Sequence, residues 1–263
     1  MKKIWFAAGF LLWVMLLLVG CQQGAGSSLL EDQEEKLQGT EENASAAIFA
    51  GKVMAAEEDG LTLSGKIGQT SYLISLATED LKLTGQDGGS LPSGQIKPGM
   101  LVEVSYDGNV LEVFPSLLSH PTALQVTGQE DDMVGLYLKV LEELWRRDEG
   151  LNSGISQLAF DLTKVSNLSQ EEKSAFIWLA GNRYGLESYP STFAELEEQG
   201  AIVDLYWEEG LLITFEDQPV ENDRFSFQAE KWRSGLGAYF FSQCTAQKSA
   251  GTWNYTVEAE AIS

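Results

Sequence analysis

The stretch that decides the fold class is MLVEVSYDGNVLEVF, residues 100–114. Up to Tyr106, apolar residues alternate with polar ones, which is the two-residue period of a strand with one buried face. The dipeptide Asp107-Gly108, which is typical of tight hairpin turns, comes next, and a second apolar run follows it. The segment therefore predicts two antiparallel strands joined by a short turn.

Similar short runs surround this stretch. Further strands are predicted over Ala47–Ala55, Leu61–Ser64, Thr70–Leu76 and Thr122–Thr127. Five or six short strands at this spacing predict a small all-β barrel or sandwich domain over residues 46–127. Gly51 within the first strand is typical of the bends and bulges that barrels use.

Residues 128–263 show helix signals first and strand signals afterwards. Asp131 or Asp132 can cap a helix that runs to about Asp148, and capping boxes at Ser169–Glu172 and Thr192–Glu195 open two more helices. A strand at 158–162 lies between the first two helices. Five strands are predicted after the helices, over Ile202–Trp207, Leu211–Glu216, Arg224–Trp232, Leu236–Gln247 and Thr252–Ala261. The predicted fold class is therefore α+β overall, with the small β domain followed by an α+β domain whose helices pack on an antiparallel sheet.

Both parts resemble known architectures in element order. Residues 46–127 resemble an oligonucleotide/oligosaccharide-binding (OB) type barrel. They lack the basic groove and stacking aromatics that nucleic-acid binding needs, so that role is not implied. Residues 128–263 resemble the cystatin-like and nuclear-transport-factor-like folds, although the strand between the first two helices departs from the usual order. That resemblance implies a curved sheet that wraps a helix and can leave a pocket.

The first 21 residues carry an export signal. A short basic start, Met1-Lys2-Lys3, precedes an apolar run from 4 to 19 and then Leu18-Val19-Gly20-Cys21. This order is typical of a secretory signal peptide, and its last four residues resemble the lipobox of bacterial lipoproteins. The resemblance implies removal of residues 1–20, a diacylglyceryl group on Cys21 with palmitate-type acylation, and a location on the outer face of the cell membrane. The alternative is an uncleaved membrane helix, which also leaves residues 22–263 outside.

Charge limits the possible partners of the exported chain. Without Lys2 and Lys3 it carries 15 basic and 39 acidic residues, a net charge of −24. Such a surface repels phosphate backbones, so nucleic-acid binding is excluded. Residues 21–45 are acidic and poor in apolar side chains, and they predict a flexible tether between the lipidated cysteine and the first domain.

Catalytic groups are scarce. The single histidine, His120, occurs in a turn-like Ser-His-Pro sequence, which favours a surface loop over a Ser-His-Asp triad. No cluster of His and Cys predicts a zinc site, and neither a metal nor a cofactor is predicted. If Cys21 is lipidated, Cys244 has no partner for a disulfide, and its apolar surroundings favour a small buried residue over a reactive thiol.

One segment stands out as a candidate ligand-binding site. Residues 228–239 combine charged and aromatic side chains around a glycine-containing turn. Strand alternation places Glu230 and Trp232 on one mixed face, and with Arg233 and Tyr239 they could line a shallow pocket for a polar ligand. The alternative is an ordinary strand in which Trp232 covers the helix layer and the charges lie at the rim.

Two classes of function fit these observations. The first is a membrane-anchored, non-catalytic binding or interaction module, whose partner is an envelope glycan, a peptide or another surface protein. The second is an envelope hydrolase that uses paired carboxylates on a glycan or peptide. Whether two acids converge in a cleft, with at least one of them desolvated, discriminates between the two classes.

Overall fold

The computed structural model of the chain describes residues 47–58 and 60–263. The signal peptide, Cys21 and the acidic tether lie outside the described residues, so those predictions stay predictions. Strand residues make up 49% of the structure and helical residues 19%, so the fold is dominated by sheet. No helix in the described part of the chain is both long enough and apolar enough to cross a bilayer.

The first sheet contains six of the first eight strands. These strands are β1 (Ala47–Ala56), β2 (Gly60–Ile67), β3 (Thr70–Ala77), β4 (Lys82–Thr84), β5 (Met100–Tyr106), β6 (Val110–Leu111), β7 (Leu117–Leu118) and β8 (Ala123–Gln129). The order in the sheet is β3-β2-β1-β5-β8-β4, while β6 and β7 form a separate two-stranded sheet. The predicted strands over 47–55, 61–64, 70–76 and 122–127 are thereby confirmed.

The hairpin predicted for residues 100–114 is wrong. β5 pairs with β1 on one edge and with β8 on the other, so the residues after Asp107-Gly108 find no free edge on it. Only Val110 and Leu111 are in strand conformation, and they pair with β7 instead. Local alternation correctly indicated β5 but could not show which segments occupy its two edges.

Gly51 has a packing role within β1. It pairs with Gly65 of β2, and the Phe49 ring lies over this pair. A Cβ atom at Gly51 would come 2.7 Å from Cε1 of Phe49, and one at Gly65 would come 2.3 Å from the carbonyl oxygen of Ala50. Only glycines allow the two strands and the ring to approach this closely.

The second sheet is interleaved with three helices. Its elements are α1 (Met133–Arg146), β9 (Gln157–Lys164), α2 (Gln170–Tyr184), β10 (Glu187–Pro190), α3 (Phe193–Glu198), β11 (Gly210–Asp217), β12 (Arg224–Ser234), β13 (Gly237–Ser249), β14 (Thr252–Thr256) and β15 (Ala259–Ile262). The order is β10-β9-β11-β12-β13-β14, with β15 paired to the first part of β13. The predicted helix starts are confirmed, because Asp132 caps α1 and both capping boxes are formed.

The sequence predicted an antiparallel sheet, but this sheet is mixed. β9 runs parallel to β10 and to β11, because α2 carries the chain back across the sheet before β10 begins. Residues 202–207, predicted as a strand, form turns with isolated bridges. The predicted strand 252–261 is split into β14 and β15, which pair with different halves of β13 on either side of Gln243, whose φ is 53°.

Apolar clusters link the elements into layers. α1 and α2 share one large cluster with one face of the second sheet, in which Tyr137 and Phe176 pack against Phe215. The first sheet has its own core but adds Met54 and Leu73 to the large cluster. The described residues therefore belong to one compact unit.

Polar contacts cross from the first sheet to α2. Lys52 Nζ on β1 lies 2.8 Å from Oε1 of Glu172, and Ser71 Oγ donates to Glu171 Oε1 over 2.6 Å. The hydrogen bond from Ser71 and the nearby Lys66 ammonium lower the pKa of Glu171 to about 2. Both acids lie in the first turn of α2, where the helix dipole also favours negative charge.

Candidate functional site

The face of the second sheet opposite α1 and α2 is only partly covered. Leu196 of α3 packs over Trp232, together with Ile202 and Trp207 from the chain after α3. The Phe193 ring meets the Trp232 indole edge-on, with 4.9 Å between the ring centroids. Trp232 is therefore buried beneath α3, and its indole is a packing surface in this structure.

Beyond α3, polar side chains remain uncovered on the same face. The register aligns Glu230 with Thr214 on one side and with Phe240 on the other, and it aligns Gln228 with Glu216. These side chains line an open pocket of about 320 Å³. We call this surface the open sheet face, and it consists of Thr214, Glu216, Gln228, Glu230, Phe240 and Ser242.

Glu230 is the most perturbed acid of the open sheet face. Its side chain is half-buried, and desolvation, followed by the negative charge of Glu216, raises the pKa of its carboxyl. Among the described residues, no cation or hydrogen-bond donor contacts this carboxylate, whereas Glu216 is paired with Lys164. A partly desolvated carboxylate without a counter-charge is costly, and a ligand that carries a positive charge would relieve that cost.

The structure places the other two predicted ligand-binding residues elsewhere. The Arg233 guanidinium donates to the carbonyl oxygens of Leu151, Ser153 and Glu208 at 2.6–3.0 Å, so it holds two loops together. Tyr239 packs against the helix-side cluster on the opposite face and donates its hydroxyl hydrogen to Glu260 over 2.5 Å. Of the four predicted residues, only Glu230 lines the pocket.

The neighbours of Glu230 in the pocket come from three strands. Glu216 and Phe240 lie on β11 and β13, the strands directly before and after β12 in the sequence. Their only signal in the sequence is strand alternation, which gives the face of each residue but not the neighbouring strand. The pairing of β11, β12 and β13 was needed to bring them together.

Lys231 is a further residue whose role the sequence did not reveal. It is fully buried on the helix side of β12, where the preceding residues at alternate positions, Phe227 and Ala229, are apolar. Its Nζ donates to the carbonyl oxygens of Trp145, Arg147 and Asp148 and to Oδ1 of Asn152. It therefore caps the C-terminal end of α1, and burial lowers the pKa of its ammonium to about 8.

Three polar residues near the end of β5 resemble a catalytic triad in composition only. Ser119 Oγ and Asp107 Oδ2 both lie 2.9 Å from Nδ1 of His120. A triad needs the acid on one ring nitrogen and the hydroxyl on the other, so that the oriented imidazole can relay the hydroxyl proton to the leaving group. Here both groups contact the same nitrogen, and the geometry does not provide that relay.

Two other kinds of reactive site depend on a metal ion or on a nucleophilic thiol. In residues 47–58 and 60–263, no group of three or more His, Cys, Asp or Glu side chains is arranged to hold a metal ion. Cys244 is fully buried, and desolvation raises the pKa of its thiol to about 12. The thiolate that nucleophilic chemistry requires is therefore strongly disfavoured.

No protein-family model matches the chain, and no curated protein shows significant similarity to it. We therefore infer the function from the chemistry of the open sheet face and from the N-terminal sequence.

Proposed function

We propose that the protein is a lipid-anchored, extracytoplasmic binding module without catalytic activity, whose open sheet face holds an amino or guanidinium group of an envelope peptide or glycan. The single observation that carries the ligand proposal is Glu230, a half-buried carboxylate that has no partner among the described residues. The lipid anchor and the location on the outer face of the cell membrane rest on the lipobox that ends at Cys21.

The chemistry of the open sheet face fits a cation for two reasons. Glu216 and Glu230 are diagonal neighbours on adjacent strands, so their negative potentials add where the pocket opens. Phe240 lies directly across from Glu230, and an aromatic ring next to a carboxylate suits a positively charged group through both charge and cation–π attraction. Neutral or anionic ligands would leave the Glu230 carboxylate unpaired.

We also infer the finer architecture. The first sheet curves into an OB-type barrel, which is supported by one core that takes residues from the strands at both ends of the sheet order, Ile74 on β3 and the partly buried Leu83 on β4. The second part is of the α+β class and similar to the cystatin-like and nuclear-transport-factor-like folds. Its support is the packing of α1 and α2 on one face and the open pocket on the other.

Calorimetric titration of the full lipidated protein in detergent tests the ligand proposal. Wall peptide and glycan fragments with free amines are compared with the same fragments after acetylation of their amines. We expect that only the free amines bind and that Glu230→Gln weakens binding about 10-fold or more, as the loss of a charge-assisted hydrogen bond does.

Glu79→Gln is the matched control, because it removes one exposed carboxylate from the turn that follows β3, away from the open sheet face. It should leave the affinity unchanged. Equal affinity of the Glu230 and Glu79 variants, or equal binding of acetylated fragments, would contradict the ligand proposal.

Hydrolysis is the second candidate function, favoured by one observation. Glu216 and Glu230 converge on one pocket and Glu230 is desolvated, as a pair of glycosidase carboxylates would be. The pocket is open, however, and Glu216 is already engaged by Lys164. Release of reducing ends from wall glycan, abolished by both Glu216→Gln and Glu230→Gln, would establish hydrolysis over simple binding.

A further inference from the structure

A cluster of exposed apolar side chains lies between β5 and β8. We call residues Val110–Leu118, which include β6 and β7, the apolar hairpin. Four of its side chains are exposed: Leu111 is 50% exposed, Val113 56%, Phe114 73% and Leu117 39%. The described residues contain eleven exposed large hydrophobic side chains, and these four, more than a third of them, fall within nine consecutive positions. Clustering of this kind marks an interaction surface, unlike single exposed apolar residues.

The hairpin is held in place by the first sheet. Ser116 exchanges backbone hydrogen bonds with β3, donating to the Leu73 carbonyl over 2.8 Å and accepting from Ser75 N over 3.0 Å. At its base, Ser119 N donates to the Asn109 carbonyl over 2.9 Å. Leu118 is buried in the core of the first sheet. The exposed side chains are therefore presented by an ordered segment, which lowers the entropy cost of binding.

The tether joins the described structure next to the base of this hairpin. Ala47, the first described residue, pairs with Tyr106, and a Cβ atom on Gly108 would lie 3.6 Å from the Ala47 Cβ. The 25 residues 22–46 separate Ala47 from Cys21. A chain of 25 residues spans at most about 90 Å when fully extended, and the flexible tether that the sequence predicts would span about 25–30 Å. If Cys21 carries the lipid anchor, the membrane surface lies within reach of the apolar hairpin.

The composition of the hairpin suits a lipid surface. In a chain with 39 acidic residues, Glu112 is the only charged residue among these nine. The hairpin combines an aromatic ring with aliphatic side chains, a combination that partitions into the boundary between headgroups and acyl chains. Its backbone is not helical, so insertion has to remain shallow, where water and headgroups satisfy the peptide groups.

We propose that the apolar hairpin is a second membrane contact, which inserts Val113 and Phe114 into the headgroup region of the bilayer that holds the lipidated Cys21. This inference rests on the proposed lipid anchor. With two points of attachment, the lipid chains and the hairpin, the folded part is held with the hairpin end of the first sheet towards the bilayer.

Fluorescence quenching in proteoliposomes tests this contact with the full lipidated protein. Val113→Cys is labelled with an environment-sensitive dye and reconstituted with lipids that carry a nitroxide at a shallow position. Cys244 is buried and Cys21 is acylated, so the introduced thiol is the one that reacts. Val203→Cys is the matched control, because Val203 is 61% exposed and lies outside the hairpin.

We expect the emission of the dye at position 113 to shift to the blue and to be quenched several-fold more strongly than that of the dye at position 203. Adding Phe114→Ser and Leu117→Ser should reduce the quenching at 113 to the level of the control. A protein that floats with the vesicles but shows equal quenching at both positions would refute the hairpin contact. A protein that does not float and has no acyl mass on Cys21 would refute the lipid anchor instead.

Discussion

Replacing Lys231 with methionine tests the buried cap at the end of α1. The variant keeps most of the side-chain volume but removes the ammonium that binds the carbonyls of Trp145, Arg147 and Asp148. The Trp145 carbonyl lies in the last turn of α1, which lacks intrahelical donors, while Arg147 and Asp148 directly follow the helix. In the variant all three carbonyls lose the shared ammonium and its favourable interaction with the helix dipole, although Trp145 keeps a hydrogen bond from Asn152 Nδ2 and Asp148 keeps one from Leu151 N.

The magnitude follows from two opposing effects. Each hydrogen bond to a charged group is worth about 1.5–3 kcal/mol, but burying the ammonium itself costs several kcal/mol. We therefore expect Lys231→Met to lower the free energy of unfolding by about 2–4 kcal/mol at pH 7, well below the sum of the bonds. Lys139→Met, an exposed lysine on α1, is the control and should change it by no more than about 0.5 kcal/mol.

The pH dependence gives this prediction a second, independent readout. Burial lowers the pKa of Lys231 from its ordinary 10.5 to about 8, so between these values the unfolded chain binds the proton that the folded chain has released. The stability of the parent therefore rises with pH relative to Lys231→Met, by up to about 3 kcal/mol between pH 8 and 10.5.

Guanidinium unfolding, followed by circular dichroism at half-unit steps from pH 7 to 10.5, measures both effects. Parallel stability curves for the parent and Lys231→Met would refute the depressed pKa. A variant as stable as the parent at every pH would refute the cap itself, because the three carbonyls would then have lost the shared ammonium at no cost.

Three further predictions concern other buried groups. Glu230→Gln should raise the free energy of unfolding at pH 7 by about 0.5–1 kcal/mol while weakening ligand binding, because the raised pKa of Glu230 means that the folded chain disfavours the ionised carboxylate. The parent should gain stability as the pH falls towards the pKa of Glu230. An unchanged or lower denaturant midpoint for the variant at pH 7 would contradict this prediction. Asp217→Ala removes the carboxylate that accepts hydrogen bonds from the Tyr137 hydroxyl and from Ser166 N and Oγ, the two Ser166 atoms each lying 2.7 Å from Oδ1. The free energy of unfolding, measured from the denaturant midpoint, should fall by about 3 kcal/mol. A loss below about 0.5 kcal/mol would show that these donors find other partners. Cys244 should not react with a thiol reagent until the protein unfolds, because burial raises the pKa of its thiol to about 12, and rapid labelling of the native protein would show that the site opens.

Local features of the chain were readable from the sequence alone. The capping boxes at Ser169–Glu172 and Thr192–Glu195 form as predicted, because a cap depends on residues three positions apart. The alternation of β5 and β9 likewise identified strands and their buried faces, since the side-chain period of two is a property of the strand itself. For the same reason the face on which Glu230 lies could be read along β12.

Tertiary structure decided which of these local features became a site. Residues 110–114 have a strand-like pattern, yet β1 and β8 occupy both edges of β5, so the segment becomes an exposed apolar hairpin. Trp232 shares the sheet face of Glu230, but α3 covers only the Trp232 end of that face. The carbonyls that bind Lys231 are more than 80 positions away from it in the sequence. Packing between different segments decides which strands occupy the edges of β5, which part of a sheet face a helix covers, and which carbonyls reach a buried lysine. The periodicity of a single segment contains no information about these contacts.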